Sequence, residues 1–166
     1  MSSSARVLQL SAEQADLLAK LAQHAMSAEA ATAVLSSAPV RLSAEVLAVK
    51  RVPAGAGVSY GHTFRTEKPT TLVLVAMGYG HGIPRKAGNR AHVTWNGVRM
   101  PIVGRVAMDV MVVDAGSAAV NAGDRVVVFG EAEGEIPLGE WANSVGEHPL
   151  SVVAALDHRV AREVLS

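Results

Sequence analysis

The sequence predicts a mainly β fold, an antiparallel barrel or sandwich, preceded by a helical hairpin and closed by two short helices. Three observations predict it. From Arg41 onward, strand-sized runs rich in Val, Leu and Thr alternate with Gly- and Pro-containing breaks. Asn96-Gly97 lies between two such runs, and both positions suit the φ > 0 geometry of a tight hairpin. The first forty residues carry a helical period instead.

The elements follow in order. Ser11-Ala12-Glu13-Gln14 reads as a capping box, with the Ser11 hydroxyl accepting from an early backbone N–H and Gln14 reaching back. Leu17, Leu18, Leu21, Ala22 and Ala25 then share one face, opposite Glu13, Asp16, Lys20 and Gln23. Ser27 caps a second helix through Leu35, which Ser36-Ser37-Ala38-Pro39 stops. Strands are expected over 46–51, Thr70–Ala76, Ala91–Trp95, Val98–Val103, Val110–Val113 and Arg125–Phe129. Short helices are expected over Leu138–Val145 and Pro149–Leu156. The expected division is a helical extension, 1–40, and a β domain, 41–166. Ser-Ala-Glu recurs at positions 11, 27 and 43, but the third copy lies in a strand-like run, and sixteen residues is short of a solenoid repeat.

Composition narrows the function classes. The chain has 166 residues, 15 basic and 15 acidic, so no charge field recruits nucleic acid or an anionic membrane. It has no cysteine, which removes disulfides, thiolate metal sites and cysteine nucleophiles. With 49% hydrophobic and 4% aromatic residues, the core is expected to be built of Ala, Val and Leu. The longest apolar stretch, Leu72 to Met77, is far below the ~18 residues of a membrane span. Met1 to Leu10 lacks the apolar segment of a secretory leader, so a cytoplasmic address is expected. The histidines show no metal-ligand spacing, and no metal is expected.

The polar residues of interest stand among glycines. Ser59-Tyr60-Gly61 follows the Gly57 turn, Gly78-Tyr79-Gly80-His81-Gly82-Ile83-Pro84-Arg85 follows the most apolar strand, and Gly104-Arg105-Val106-Ala107-Met108-Asp109 follows another. Both tyrosines of the chain fall in these motifs. Glycines beside Tyr and Arg allow close backbone approach to a ligand or another chain, and they equally suit barrel corners. Gly78-x-Gly80-x-Gly82 lacks the G-x-G-x-x-G register of a dinucleotide site, and Ser59 lacks the nucleophile elbow of a hydrolase.

From about Arg41 to Arg162 the sequence resembles the C-terminal β domain of alanine racemases. The matching motifs are 57–61, Gly78-Tyr79-x-x-Gly82-x-x-Arg85, Pro101-Ile102-Val103-Gly104-Arg105-x-x-Met108-Asp109, Gly123-Asp124 with Gly130, and Arg159-Val160-x-Arg162. The resemblance implies an antiparallel Greek-key-like β-barrel. It also implies that Tyr60 exchanges the substrate α-proton on the face opposite a cofactor lysine. Tyr79 and Met108 would line the substrate pocket, Arg85 and Arg105 the entry corridor, and Asp109 would stand behind Met108. Racemisation needs a base on each face of a planar carbanion while the cofactor stores the charge. An ordinary phenol titrates near ~10, so such a tyrosine depends on tuning by its neighbours.

The sequence departs from the family in two places. Gly80-His81 stands where Ala-Asp is usual, and His158 stands where a tyrosine normally bonds the cofactor phosphate. A histidine donates to phosphate with a different reach. The residues before Arg41 are also far fewer than the ~250 of a (β/α)8 barrel. No lysine is placed to carry the cofactor: Lys20 lies on a polar helix face, Lys50 beside Arg51, Lys68 before Pro69 and Lys86 after Arg85. The expectation is therefore a stand-alone domain, inactive by itself and binding no cofactor alone. It would complete or regulate, in trans, a racemase barrel that carries pyridoxal phosphate. The alternative is a sensing domain for a small amino acid or cell-wall precursor, with Arg85 and Arg105 holding a carboxylate. An exposed patch around Tyr60, Tyr79 and Met108 predicts a homodimer, unless the helical hairpin folds over it as a lid.

Overall fold

In the computed structural model, residues 4–23 and 26–166 are described. Ala25, counted on the first helix's apolar face, lies outside them, as do Met1 to Ser3 of the segment read against a leader. Six antiparallel strands close a barrel: β2 (Arg41–Val52), β5 (Thr70–Val75), β8 (Met111–Gly116), β7 (Val98–Val103), β6 (His92–Trp95) and β9 (Arg125–Phe129), with β9 pairing back onto β2. The barrel expected from the resemblance is what forms.

β2 makes the closure. Its first half, Leu42 to Glu45, pairs with β9, and its second half, Val46 to Val52, pairs with β5. A register shift between Val46 and Ala48 lets one twelve-residue strand turn the corner. The β6–β7 hairpin has the expected turn, with φ of 47° at Asn96 and 76° at Gly97. A two-stranded arm, β3 (Gly57–Val58) with β4 (Phe64–Arg65), projects between β2 and β5.

The first forty residues include a strand that the helical reading did not contain. β1 (Arg6–Ser11) pairs antiparallel with β2 and parallel with β10 (Ala161–Leu165), a second unexpected strand. Helices α1 (Ala12–Ala22) and α2 (Ala28–Leu35) form as expected. Ser11 and Gln14 exchange both capping-box bonds, and the Ser27 hydroxyl accepts from the Ala30 N–H. The Gln14 amide also donates to the carbonyls of Leu35 (2.9 Å) and Ala38 (2.7 Å), tying the two helix ends together.

The core is continuous. Leu8, Leu10, Leu17, Ala31 and Leu35 belong to the same buried cluster as Val46, Val75, Ile102 and Val126 of the barrel. It is mainly Val, Leu and Ala, as composition requires, with Phe129 and Trp141 packed at 6.0 Å between ring centroids at the closing helices. Those helices are α3 (Leu138–Ser144) and α4 (Pro149–Ala154). Trp141 Nε1 donates to the His92 carbonyl at 3.0 Å, so its one polar atom is satisfied.

The hairpin sits against α4 and β10: Leu18 and Leu21 face a small cavity shared with Val153, Leu156 and Arg162. It is no lid over the Gly-rich motifs.

Candidate functional site

Three Gly-rich segments meet around one cleft. The first is the tip of the β3–β4 arm, where Tyr60–His62 makes a tight turn with φ of 75° at Gly61 and 44° at His62. Ser59 enters that tip at φ 60°, ψ −176°, a conformation that side chains other than glycine rarely hold. The arm is held by Thr66, whose hydroxyl donates to the Pro53 carbonyl at 2.7 Å and accepts from the Ala56 N–H at 2.9 Å. It rests on Gly104, where an added Cβ would lie 2.8 Å from the Ser59 hydroxyl.

The second segment, Gly78 to Gly82, follows β5 and lies along the third, Val106 to Val110. The Tyr79 N–H donates to the Ala107 carbonyl (2.9 Å) and the Gly80 N–H to that of Met108 (2.8 Å). Gly78 is required here, because a Cβ would stand 2.3 Å from the Ala107 oxygen. Asn89, at φ 61°, fastens the loop after Arg85: it accepts from the Gly104 N–H at 2.7 Å and donates to the Thr63 hydroxyl at 3.2 Å.

These segments line an open cleft of about 750 Å³ whose walls include Tyr60, Tyr79, Arg85, Arg105, Met108 and Asp109. Six of the seven residues singled out from the sequence are thus brought together. Tyr60 is 79% exposed, Met108 52% and Tyr79 38%. The Arg85 guanidinium lies 4.5 Å from the centre of the Tyr79 ring, a cation–π contact that aims both into the cleft. The Arg105 guanidinium passes about 3.5 Å from where a Cβ on Gly61 would sit, beside the Tyr60 tip.

His158 is the residue not brought in. It is exposed on the turn before β10, with Nδ1 3.4 Å from an Asp157 oxygen, and it does not line the cleft. Lys86 does line it, half-exposed and ion-paired with Glu147 at 2.5 Å. Among the described residues Lys86 is the one lysine lining the cleft, and its ammonium is already paired there. Among the described residues no group of three or more His, Asp or Glu converges as a metal site, and no helix is long and apolar enough to cross a membrane.

The sequence reading underrated the cluster behind Met108. Arg159 donates from Nε to Asp157 (2.7 Å) and from a terminal nitrogen to the Gly80 carbonyl, and its other terminal nitrogen lies 3.7 Å from Asp109. These bonds from Arg159 hold the Asp157 carboxyl down at about 2. His81, 1% exposed, accepts from the Gly78 N–H at Nδ1 (3.0 Å). Only the motif Arg159-Val160-x-Arg162 hinted at this corner, since nothing local in Gly80-His81 shows that its imidazole turns inward.

Comparison with known proteins decides the family. The family model "Alanine racemase, C-terminal domain" matches residues 39–164. The chain belongs to the alanine racemase C-terminal domain family. It is 49% identical over 104 residues to the alanine racemase of Salinispora arenicola, covering 62% of this chain and 28% of that protein. It is 43% identical over 122 residues to that of Frankia casuarinae, covering 73% and 32%. The alanine racemase from D-cycloserine producing Streptomyces lavendulae superposes with a TM-score of 0.73 at 43% identity, over 76% of this chain and 34% of that one. The Bartonella henselae enzyme with covalently bound pyridoxal phosphate superposes at 0.71 and 32% identity, over 76% and 35%. The chain thus spans about a third of the length of the racemases it matches.

Proposed function

We propose that this domain docks onto a (β/α)8 barrel that carries pyridoxal phosphate on another polypeptide and completes its racemase site in trans. The observation that carries this reading is the exposure of Tyr60 at the tip of a braced arm, with the Tyr79–Arg85 pair and Arg105 around the same open cleft. The Tyr60 side chain packs little within its own chain, yet the arm that carries it is braced by Thr66 and by the close approach of Ser59 to Gly104. When bound by the partner, the cofactor supplies the electron sink that acidifies the substrate Cα–H. In that site Tyr60 moves a proton at the α-carbon through its hydroxyl, Tyr79 and Met108 exclude water, and Arg85 and Arg105 draw the anionic substrate inward. Without the partner, the domain binds no cofactor and does not racemise.

Co-purification and titration against cofactor-loaded barrel proteins of the source cell, read as D-/L-alanine interconversion, tests it. Expected is a rate that saturates with this chain and falls by about 10²–10⁴-fold with Tyr60→Phe while binding persists. No binding to any barrel, with no change in rate, overturns it.

A second reading draws on the arginines. Among the described residues neither Arg85 nor Arg105 is in an ion pair, which suits a carboxylate-bearing ligand such as an amino acid or a cell-wall dipeptide. Calorimetry with alanine enantiomers and dipeptides distinguishes it; a flat response to all removes it. In solution without a barrel, the exposed face is covered by a second copy. Sedimentation equilibrium at micromolar concentration is expected to give twice the 17.2 kDa chain mass, and a clean monomer refutes the dimer.

A further inference from the structure

We infer that His81 is a positioning residue for Tyr79: in its neutral form it seats the Gly78–Gly82 loop, and a second proton on its ring releases Tyr79 from the cleft. Nδ1 accepts the Gly78 N–H at 3.0 Å, so the neutral ring carries its proton on Nε2. That nitrogen points toward Asp109, whose nearer oxygen is 3.9 Å away. The His81 carbonyl accepts from the Asp157 N–H at 3.1 Å, and the Gly80 carbonyl accepts from Arg159. The loop is therefore held at Gly78 by its own imidazole, at Gly80 and His81 by the one turn before β10, and at the Tyr79 and Gly80 N–H groups by the Ala107 and Met108 carbonyls, with Tyr79 in its middle.

The imidazole bond differs in kind from the others. Carbonyl acceptors keep their lone pairs at every accessible pH. An imidazolium has none: both nitrogens become donors, and Nδ1–H would face the Gly78 N–H. Gly78 also lies against the Ala107 and Met108 carbonyls, whose oxygens would stand 2.3 and 2.5 Å from an added Cβ.

The groups facing the ring come from four segments: Arg6 of β1, Asp109 of the loop before β8, and Asp157 and Arg159 of the turn before β10, besides its own loop. Burial, then Arg6 and Arg159, lower its proton affinity below the usual 6.5, against the opposing pull of Asp109 and Asp157. The seated, neutral form is thus the resting one.

This inference rests on the cleft reading for its consequence in a completed site, but the loop can be tested without any barrel or substrate. In a Tyr60→Phe background, Tyr79 is the sole tyrosine, and its ring signals can be followed by NMR on the full chain from about pH 8 to about pH 5. Expected are Tyr79 ring and Gly78 amide shifts that share one midpoint with the His81 ring, below 6.5. His81→Asn keeps an acceptor for Gly78 and is expected to hold Tyr79 in its neutral-pH position throughout. His81→Leu is expected to place it in the acid position throughout. Tyr79 signals that ignore the His81 titration overturn the inference, as does a His81→Asn chain that keeps the same midpoint. If His81→Leu fails to fold, the His81→Asn titration decides alone. A failure to find a barrel partner leaves this result standing, and the reverse holds too.

Discussion

Two neighbouring regions of this domain are built on opposite terms. Around α3, Phe129, Trp141 and Val145 are buried, and the indole gives its one donor to a backbone carbonyl. At the cleft the large side chains Tyr60, Tyr79 and Met108 face outward while the backbone beneath them is bonded and sterically pinned. In the first region side chains stabilise the fold. In the second the fold holds side chains in place for something else. The contrast teaches where to look for function: exposed large residues on a constrained backbone carry a cost that packing within this chain does not return.

Mutations in the two regions should therefore separate cleanly. Trp141→Ala removes a fully buried ring and leaves the His92 carbonyl without its donor; a loss of about 4 kcal/mol in urea unfolding is expected. Tyr60→Ala at the cleft should change stability by less than about 0.5 kcal/mol. A stability loss at Tyr60 comparable to that at Trp141 would show that the arm packs in solution and would dissolve the contrast.

The hairpin sharpens the comparison by falling on the packed side. Gln14→Leu removes the capping-box partner of Ser11 and leaves the Leu35 and Ala38 carbonyls without their side-chain donor. A loss of about 2 kcal/mol is expected, with faster proteolysis between α1 and α2 and no change at Tyr60 or Tyr79. If cleft signals move as well, the hairpin and the cleft are coupled, and the two regions are one unit.

Legibility in the sequence followed the same division. Local chemistry announced the caps at Ser11 and Ser27, the Asn96-Gly97 turn and most barrel strands, because each depends on neighbours a few residues away. β1 and β10 were missed because their partners are remote: Val7 pairs with Ala161, and the exposed residues of β10 show no alternation of buried and exposed positions. At the cleft, the glycine-flanked Tyr and Arg motifs were readable one by one. The pinning by Asn89, the inward turn of His81 and the reach of Arg159 back to Gly80 arise only when distant segments meet.

The smallest predicted effect concerns acid, and it too should divide the molecule. The Asp157 carboxyl titrates at about 2 because Arg159 bonds it. A carboxyl depressed in the folded state favours folding at full strength above its ordinary value of 3.8, and that contribution disappears as pH falls through about 2. His81 acts earlier on the same corner. Its folded proton affinity is lowered, so the unfolded chain takes the proton first, and folding weakens as pH drops from 6.5 toward the lowered value, then levels off. Acidification should therefore loosen the Tyr79 loop first and the Asp157–Arg159 turn second, while the barrel core, with no ionisable side chain at Phe129 or Trp141, holds. Hydrogen exchange across a pH series checks the order, with rates corrected for their intrinsic pH dependence. Protection is expected to fall at Gly78 before the amide of Arg159, and at the strands β6 and β9 last. Asp157→Asn should erase the second step and leave the first. Uniform loss of protection across both regions would mean that the cleft loops have no stability of their own to lose.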